Sequence, residues 1–103
     1  MDEREKLTAA VAGLGRHSSP MVRAIASAIL ASAEAVRAGD DDQHWRLLGQ
    51  AEGVRWVLGQ KGFSSKILYR IDVALWRLDL YRGEVLDQMS EQVAELFGDG
   101  GGE

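Results

Sequence analysis

Residues 61–70 read KGFSSKILYR, and they join the two longest amphipathic segments of this 103-residue chain. Gly62 is a residue type that commonly follows the last turn of a helix, and an apolar residue such as Phe63 often comes next. One of the two serines that follow can cap the next helix. The stretch therefore predicts a corner between a helix over about 42–60 and another that starts at about residue 65.

The remaining sequence predicts further helices and no strand. Pro20 is the single proline, and apolar residues recur at helical rather than alternating spacing. Ser19 can cap a helix that begins at Pro20 and ends before Gly39. The last segment keeps its apolar phase over about 65–97, so one long helix fits the pattern as well as two helices that meet at Gly83.

These segments predict an all-α fold. The expected architecture is a helical bundle of four to five helices with a central antiparallel helical hairpin, formed by about 42–60 and about 65–97. A chain of this length makes one domain. We expect that domain over residues 1–97, followed by a flexible Gly-rich tail over 98–103 with the sequence GDGGGE.

The composition excludes several classes of protein. Hydrophobic residues make up 46 % and charged residues 27 %, values typical of a globular chain. The absence of cysteine excludes disulfides and thiolate metal sites. The N-terminal MDEREKLTAA lacks the apolar core of a signal peptide, and no apolar run approaches the roughly 20 residues that span a bilayer. No membrane partner is expected, and the expected location is the cytoplasm or a virion assembled there.

Charge is distributed unevenly along the chain. Residues 43–82 carry seven basic and three acidic side chains, whereas residues 83–103 carry six acidic and no basic ones. The overall net charge of −4 argues against general nucleic-acid binding. The basic centre leaves a local nucleic-acid site open.

Each of the two helices around the corner carries a second apolar strip, roughly opposite its main one. A helix with two apolar faces is either central in its fold or offers one face to a partner. All three tryptophans lie on these second strips, and tryptophan is enriched at the energetic centres of interfaces. We expect a partner protein, either further copies in a homo-oligomer or a heterologous protein, to contact Trp45, Gly49, Gly53, Trp56, Tyr69, Val73, Trp76 and Leu80. The alternative is that the other helices cover these residues as core.

No constellation of residues indicates catalysis, so the sequence predicts no enzyme and no cofactor. His17 and His44 lie 27 residues apart, which does not match the spacing of a zinc-binding histidine pair. The acidic run Asp40–Asp42 lacks the ligand spacing of a calcium loop. We therefore expect no metal site, and expect Asp40–Asp42 to serve for helix capping and solvation instead.

Residues 62–71, GFSSKILYRI, resemble the turn and recognition helix of TetR-type helix-turn-helix regulators. Gly62 matches the turn glycine, Ser64 the serine that opens the recognition helix, and residues 68–70 its Leu-Tyr-Arg core. The resemblance implies a DNA-binding regulator. The side chains that it would place near DNA are Ser64, Lys66, Tyr69 and Arg70.

The helical spacing adds Arg77 to the side of the helix that carries Lys66 and Arg70, as a stripe that contacts phosphates requires. Lys61 stands where the motif has an apolar residue, and both helices are longer than those of the motif. A corner between two packed helices therefore explains the same residues without DNA.

The stretch WRLLGQAEGVRWVLG, residues 45–59, resembles the aromatic-led helices of small helical proteins from tailed phages and prophages. That resemblance implies a virion or assembly component, or an inhibitor of a host nucleic-acid enzyme or defence system. An inhibitor would use Glu84, Asp87 and Glu91 as phosphate mimics. The leading hypothesis is a non-enzymatic, self-associating interaction subunit.

Overall fold

The computed structural model describes residues 2–101, with side chains described for residues 2–97. Across this part of the chain it contains helices and no strand, so the predicted all-α bundle is confirmed. The four helices are α1 (Glu3–Gly15), α2 (Pro20–Arg37), α3 (Asp41–Gln60) and α4 (Ser65–Gly101). The segment after the corner is therefore one helix, which passes through Gly83 without a break.

Local side-chain bonds explain where three of the helices begin. Ser19 Oγ accepts from the backbone N–H of Val22 at the start of α2, at 3.5 Å. The Asp40 carboxylate accepts from the backbone N–H of Gln43 at 3.1 Å and opens α3. Ser64 Oγ accepts from the backbone N–H of Ile67 at 3.3 Å ahead of α4. Each bond satisfies a helical N–H that has no partner within its own helix.

The corner at residues 61–64 ends α3 through a left-handed glycine. Gly62 has a φ of 80°, which turns the chain away from the helix axis. The backbone N–H of Phe63 then donates to the carbonyl of Leu58 at 3.2 Å and satisfies one of the last helical acceptors. The predicted helix end, cap and corner are all present.

Replacing Gly62 by alanine is expected to lower the free energy of unfolding by about 1–2 kcal/mol, because a side chain is disfavoured at this positive φ. The matched control is Gly83→Ala, within α4, where an added Cβ would meet no atom within 4 Å. This control should raise stability by about 1 kcal/mol, the helix-propensity difference. Urea denaturation of both variants checks the pair, and equal effects would contradict the assigned turn.

Both α2 and α4 pack against each of the other three helices, but α2 packs more extensively and forms the centre of the bundle. The α3–α4 hairpin is antiparallel, with ion pairs between Arg55 and Asp72 at 2.9 Å and between Arg82 and Asp41 at 3.9 Å. However, these two helices pack on each other less than on α2, so the central position predicted for the hairpin belongs to α2. The buried face of α2 combines branched side chains that fill the core with three small ones, Ala26, Ser32 and Ala35. The buried residues of α2 are Val22, Ile25, Ala26, Ile29, Ser32, Ala35 and Val36.

The C-terminal part of α4 projects from the bundle and makes the molecule elongated, at 60 × 28 × 17 Å. Val85 is half-buried, and every side chain over residues 86–97, which we name the arm, is exposed. The α4 backbone continues to Gly101, so the first part of the predicted tail at 98–103 continues the helix. Residues 102 and 103 lie outside the described part of the chain.

Candidate protein-interaction surface

The tryptophans and Tyr69 are on the surface of the folded chain. The exposed fractions are 52 % for Trp45, 65 % for Trp56, 68 % for Tyr69 and 53 % for Trp76. The alternative in which the other helices cover the tryptophans as core is therefore wrong.

The α3 strip consists of Trp45, Gly49, Gly53 and Trp56. Both glycines are exposed, and a Cβ added at either would meet no atom within 4 Å. The two tryptophans are eleven residues apart, which is about 16 Å along the helix axis. The strip is thus a bare stretch of helix backbone between two large indole rings, a shape that would allow a facing helix to approach closely.

Trp45 is held in position from two sides. The Arg82 guanidinium lies over its ring at 4.9 Å, and the neighbouring His44 ring meets it edge-on at 4.8 Å. A cation over the indole face is attractive, by about 0.5–1 kcal/mol at an exposed site. One face of Trp45 therefore packs against α4, and the rest of the ring remains open.

The α4 strip consists of Tyr69, Val73, Trp76 and Leu80, of which Val73 and Leu80 are half-buried. Tyr69 and Val73 line a shallow groove together with Ala9, Ala10 and Arg70. The α4 strip thus borders α1, whereas the α3 strip borders α4 through Arg82. The structure brings the predicted interface residues into two strips with different neighbours.

The residues predicted to contact DNA differ in their accessibility. Lys66 and Arg70 are exposed and form no ion pair with any described residue. Arg77 is more covered, because its guanidinium lies over Trp76 at 4.7 Å and 3.9 Å from the Glu3 carboxylate. Ser64 caps α4. DNA contact by this set, including the exposed Tyr69, stays a prediction.

The relative course of α3 and α4 bears on the resemblance to a helix-turn-helix motif. Asp41, at the first residue of α3, pairs with Arg82, and Arg55, near its last turn, pairs with Asp72. The two helices therefore run alongside each other over most of α3. The helices of the motif instead cross at about 90–120°.

The burial of His44 was not predicted from the sequence. The side chain is buried, and its Nδ1 lies 2.6 Å from Ser32 Oγ on α2. Burial, together with the positive charge of Arg82, lowers the pKa of His44. The side chain of His44 points to α2, while Asp40 of the neighbouring acidic run caps α3 as predicted. The signal was the seven-residue spacing from His44 to Ala51 and Leu58, which are both buried.

Comparison with known proteins adds no family. No protein-family model, no curated protein and no solved structure matches the chain. Among the described residues, none of the helices is long and apolar enough to cross a membrane. The same residues contain no group of three or more histidine, aspartate or glutamate side chains placed to hold a metal ion. The exposed surfaces are therefore the features of the described chain that bear on its function.

Proposed function

We propose that the protein is a non-enzymatic interaction subunit that associates with further copies of itself through the α3 and α4 strips. The observation that carries the proposal is the exposure of all three tryptophans, each by more than half. Burying apolar surface is worth about 25 cal/mol per Å², and an aromatic side chain can bury 150–250 Å². Covering these rings in an interface would therefore release substantial free energy.

The shape of the strips favours a protein helix as the occupant. The α3 strip exposes backbone at Gly49 and Gly53 between two indole rings, so an incoming helix can lie along it. Another copy of the chain supplies such helices. The resemblance of residues 45–59 to helices of small tailed-phage proteins connects the proposal to assembly in a phage or prophage.

Light scattering over a range of concentrations, together with tryptophan emission, tests the proposal. The mass should rise with concentration, and the emission should shift to the blue as the indoles leave water. Trp56→Ala and Trp76→Ala should each weaken association by about tenfold or more, the effect of losing an interface anchor.

The matched control is Leu30→Ala on α2, which removes an exposed apolar side chain outside both strips. This variant should associate as the unmodified chain does. A chain that stays monomeric at every concentration, or variants at Trp56 and Trp76 that associate normally, would overturn self-association through the strips.

A further inference from the structure

The arm carries an apolar seam that no part of the bundle covers. Its exposed apolar residues are Leu86, Met89, Val93, Leu96 and Phe97, with exposed fractions from 39 % to 76 %. The first four follow the three-and-four spacing of a coiled-coil seam, and we name these four the arm seam. A helix face of this kind is normally buried against another helix.

The carboxylates of the arm avoid the seam. Asp87, Glu91 and Glu95 lie on the far side of the helix at 100° per residue. The positions that flank the seam are occupied by Val85, Ser90, Gln92 and Phe97, none of which is charged. Charges at flanking positions usually select the partner and its orientation in a coiled coil. Here nothing at these positions repels an identical helix or selects a different one.

The phase of the arm seam fixes the direction in which a second helix can run. The arm seam continues the side of α4 that faces the core of the bundle. Along this side the buried Leu78 and the half-buried Val85 are followed by Met89 and Leu96, at spacings of seven, four and seven residues. Within the bundle that side is covered by other helices of the same chain. A second α4 running parallel would collide with them, whereas an antiparallel one would extend away from the bundle.

We propose that the arm pairs with the arm of a second copy of this chain as an antiparallel two-helix contact. A twofold axis near Glu91 sets Leu86 opposite Leu96 of the second copy and Met89 opposite Val93. The same register places Phe97 against the half-buried Val85 at the end of the other bundle. Each contact occurs twice, as an isologous interface requires.

The area indicates how strong this contact is. Five partly exposed apolar side chains provide on the order of 500 Å² per copy, against roughly 800 Å² per partner in a stable interface. The arm contact alone is therefore reversible and depends on concentration. It is separate from the α3 and α4 strips, since the arm begins at Leu86 and neither strip extends beyond Leu80.

Cross-linking through introduced cysteines tests the register. Because the sequence contains no cysteine, only the introduced thiols can react. Leu86→Cys and Leu96→Cys proteins, mixed one to one and treated with a short bifunctional maleimide, should give a covalent dimer. Each variant alone should give little, because like positions lie ten residues, or about 15 Å, apart in the antiparallel pair. Efficient linking of either variant with itself would overturn the antiparallel register.

Glu91→Cys is the matched control. Along the helix this position is level with the twofold axis, but it lies on the side of the helix opposite the arm seam, away from the second copy. Linking of this variant as efficient as that of the mixture would show random collision and overturn the proposal. Circular dichroism at a dilution where the chain is monomeric should show an unchanged thermal midpoint for all three variants, because the arm packs on no other helix of its own chain.

A double variant, Met89→Gln with Val93→Gln, should weaken association about tenfold or more in sedimentation velocity, whereas Glu91→Gln should not. The tryptophan emission shift separates the two proposals. Loss of cross-linking with an intact emission shift would overturn the arm contact alone. Intact cross-linking without any emission shift would overturn the proposed function of the strips alone.

Discussion

Replacing Ile29 by alanine is expected to lower the free energy of unfolding by about 2–5 kcal/mol. Ile29 is fully buried on α2, the most extensively packed helix, so the lost side-chain carbons leave a cavity at the centre of the bundle. A domain of this size has a total stability of about 5–15 kcal/mol. The variant should therefore lose a large part of its stability, as urea denaturation followed by circular dichroism would show.

The neighbouring Leu30→Ala is the matched control for Ile29→Ala. Leu30 lies on the same helix, but 43 % of its surface is exposed. Its replacement should lower the free energy of unfolding by about 1 kcal/mol or less, because it opens no enclosed cavity. Equal losses in the two variants would contradict the burial of Ile29 in the core.

Acidification is expected to destabilise the protein through His44. Burial and the charge of Arg82 lower the pKa of His44 in the folded state below 6.5. The unfolded chain therefore binds a proton more readily than the folded chain does. Stability from this residue is fully present above about pH 6.5 and is lost as the pH falls from there towards the lowered folded pKa. Urea midpoints measured from pH 8 to pH 5 check this dependence.

Variants at three positions assign the acid sensitivity. His44→Gln should remove most of the decrease in stability below pH 6.5, whereas His17→Gln, which changes the other histidine, should keep it. Ser32→Ala should cost about 1–3 kcal/mol at neutral pH, because it leaves buried polar atoms of His44 without their partner. An unchanged acid sensitivity in His44→Gln would contradict the assignment.

The positions where the helices begin were predictable because they depend on neighbouring residues. Ser19, Asp40 and Ser64 each bond to an N–H three residues ahead, a contact that needs no tertiary structure. The left-handed turn at Gly62 is equally local.

The central position of α2 could not be predicted in the same way. Alanine is a good helix former wherever it lies, so the alanine pattern of α2 did not show that Ala26 and Ala35 are buried whereas Ala24 and Ala31 are exposed. The exposure of Trp56 and Trp76 could not be predicted either, because it depends on tertiary packing. Periodicity shows that a second strip exists, but only the packing of α1 and α2 decides whether it is covered. Likewise, the apolar spacing that continues past Gly83 indicated that the helix continues. It did not show that the other helices end before the arm and leave it exposed.

Because α4 is one uninterrupted helix, it fixes the angle about its axis between the two proposed contact surfaces, the α4 strip and the arm seam. At 100° per residue, the mean directions of the α4 strip and the arm seam differ by roughly 150° about the helix axis. Inserting one residue next to Gly83 would turn the arm by about 100° without altering either surface, and inserting seven would nearly restore the original angle. In the proposed assembly, the number of residues between the strip and the seam would thus set the angle between one molecule and the next.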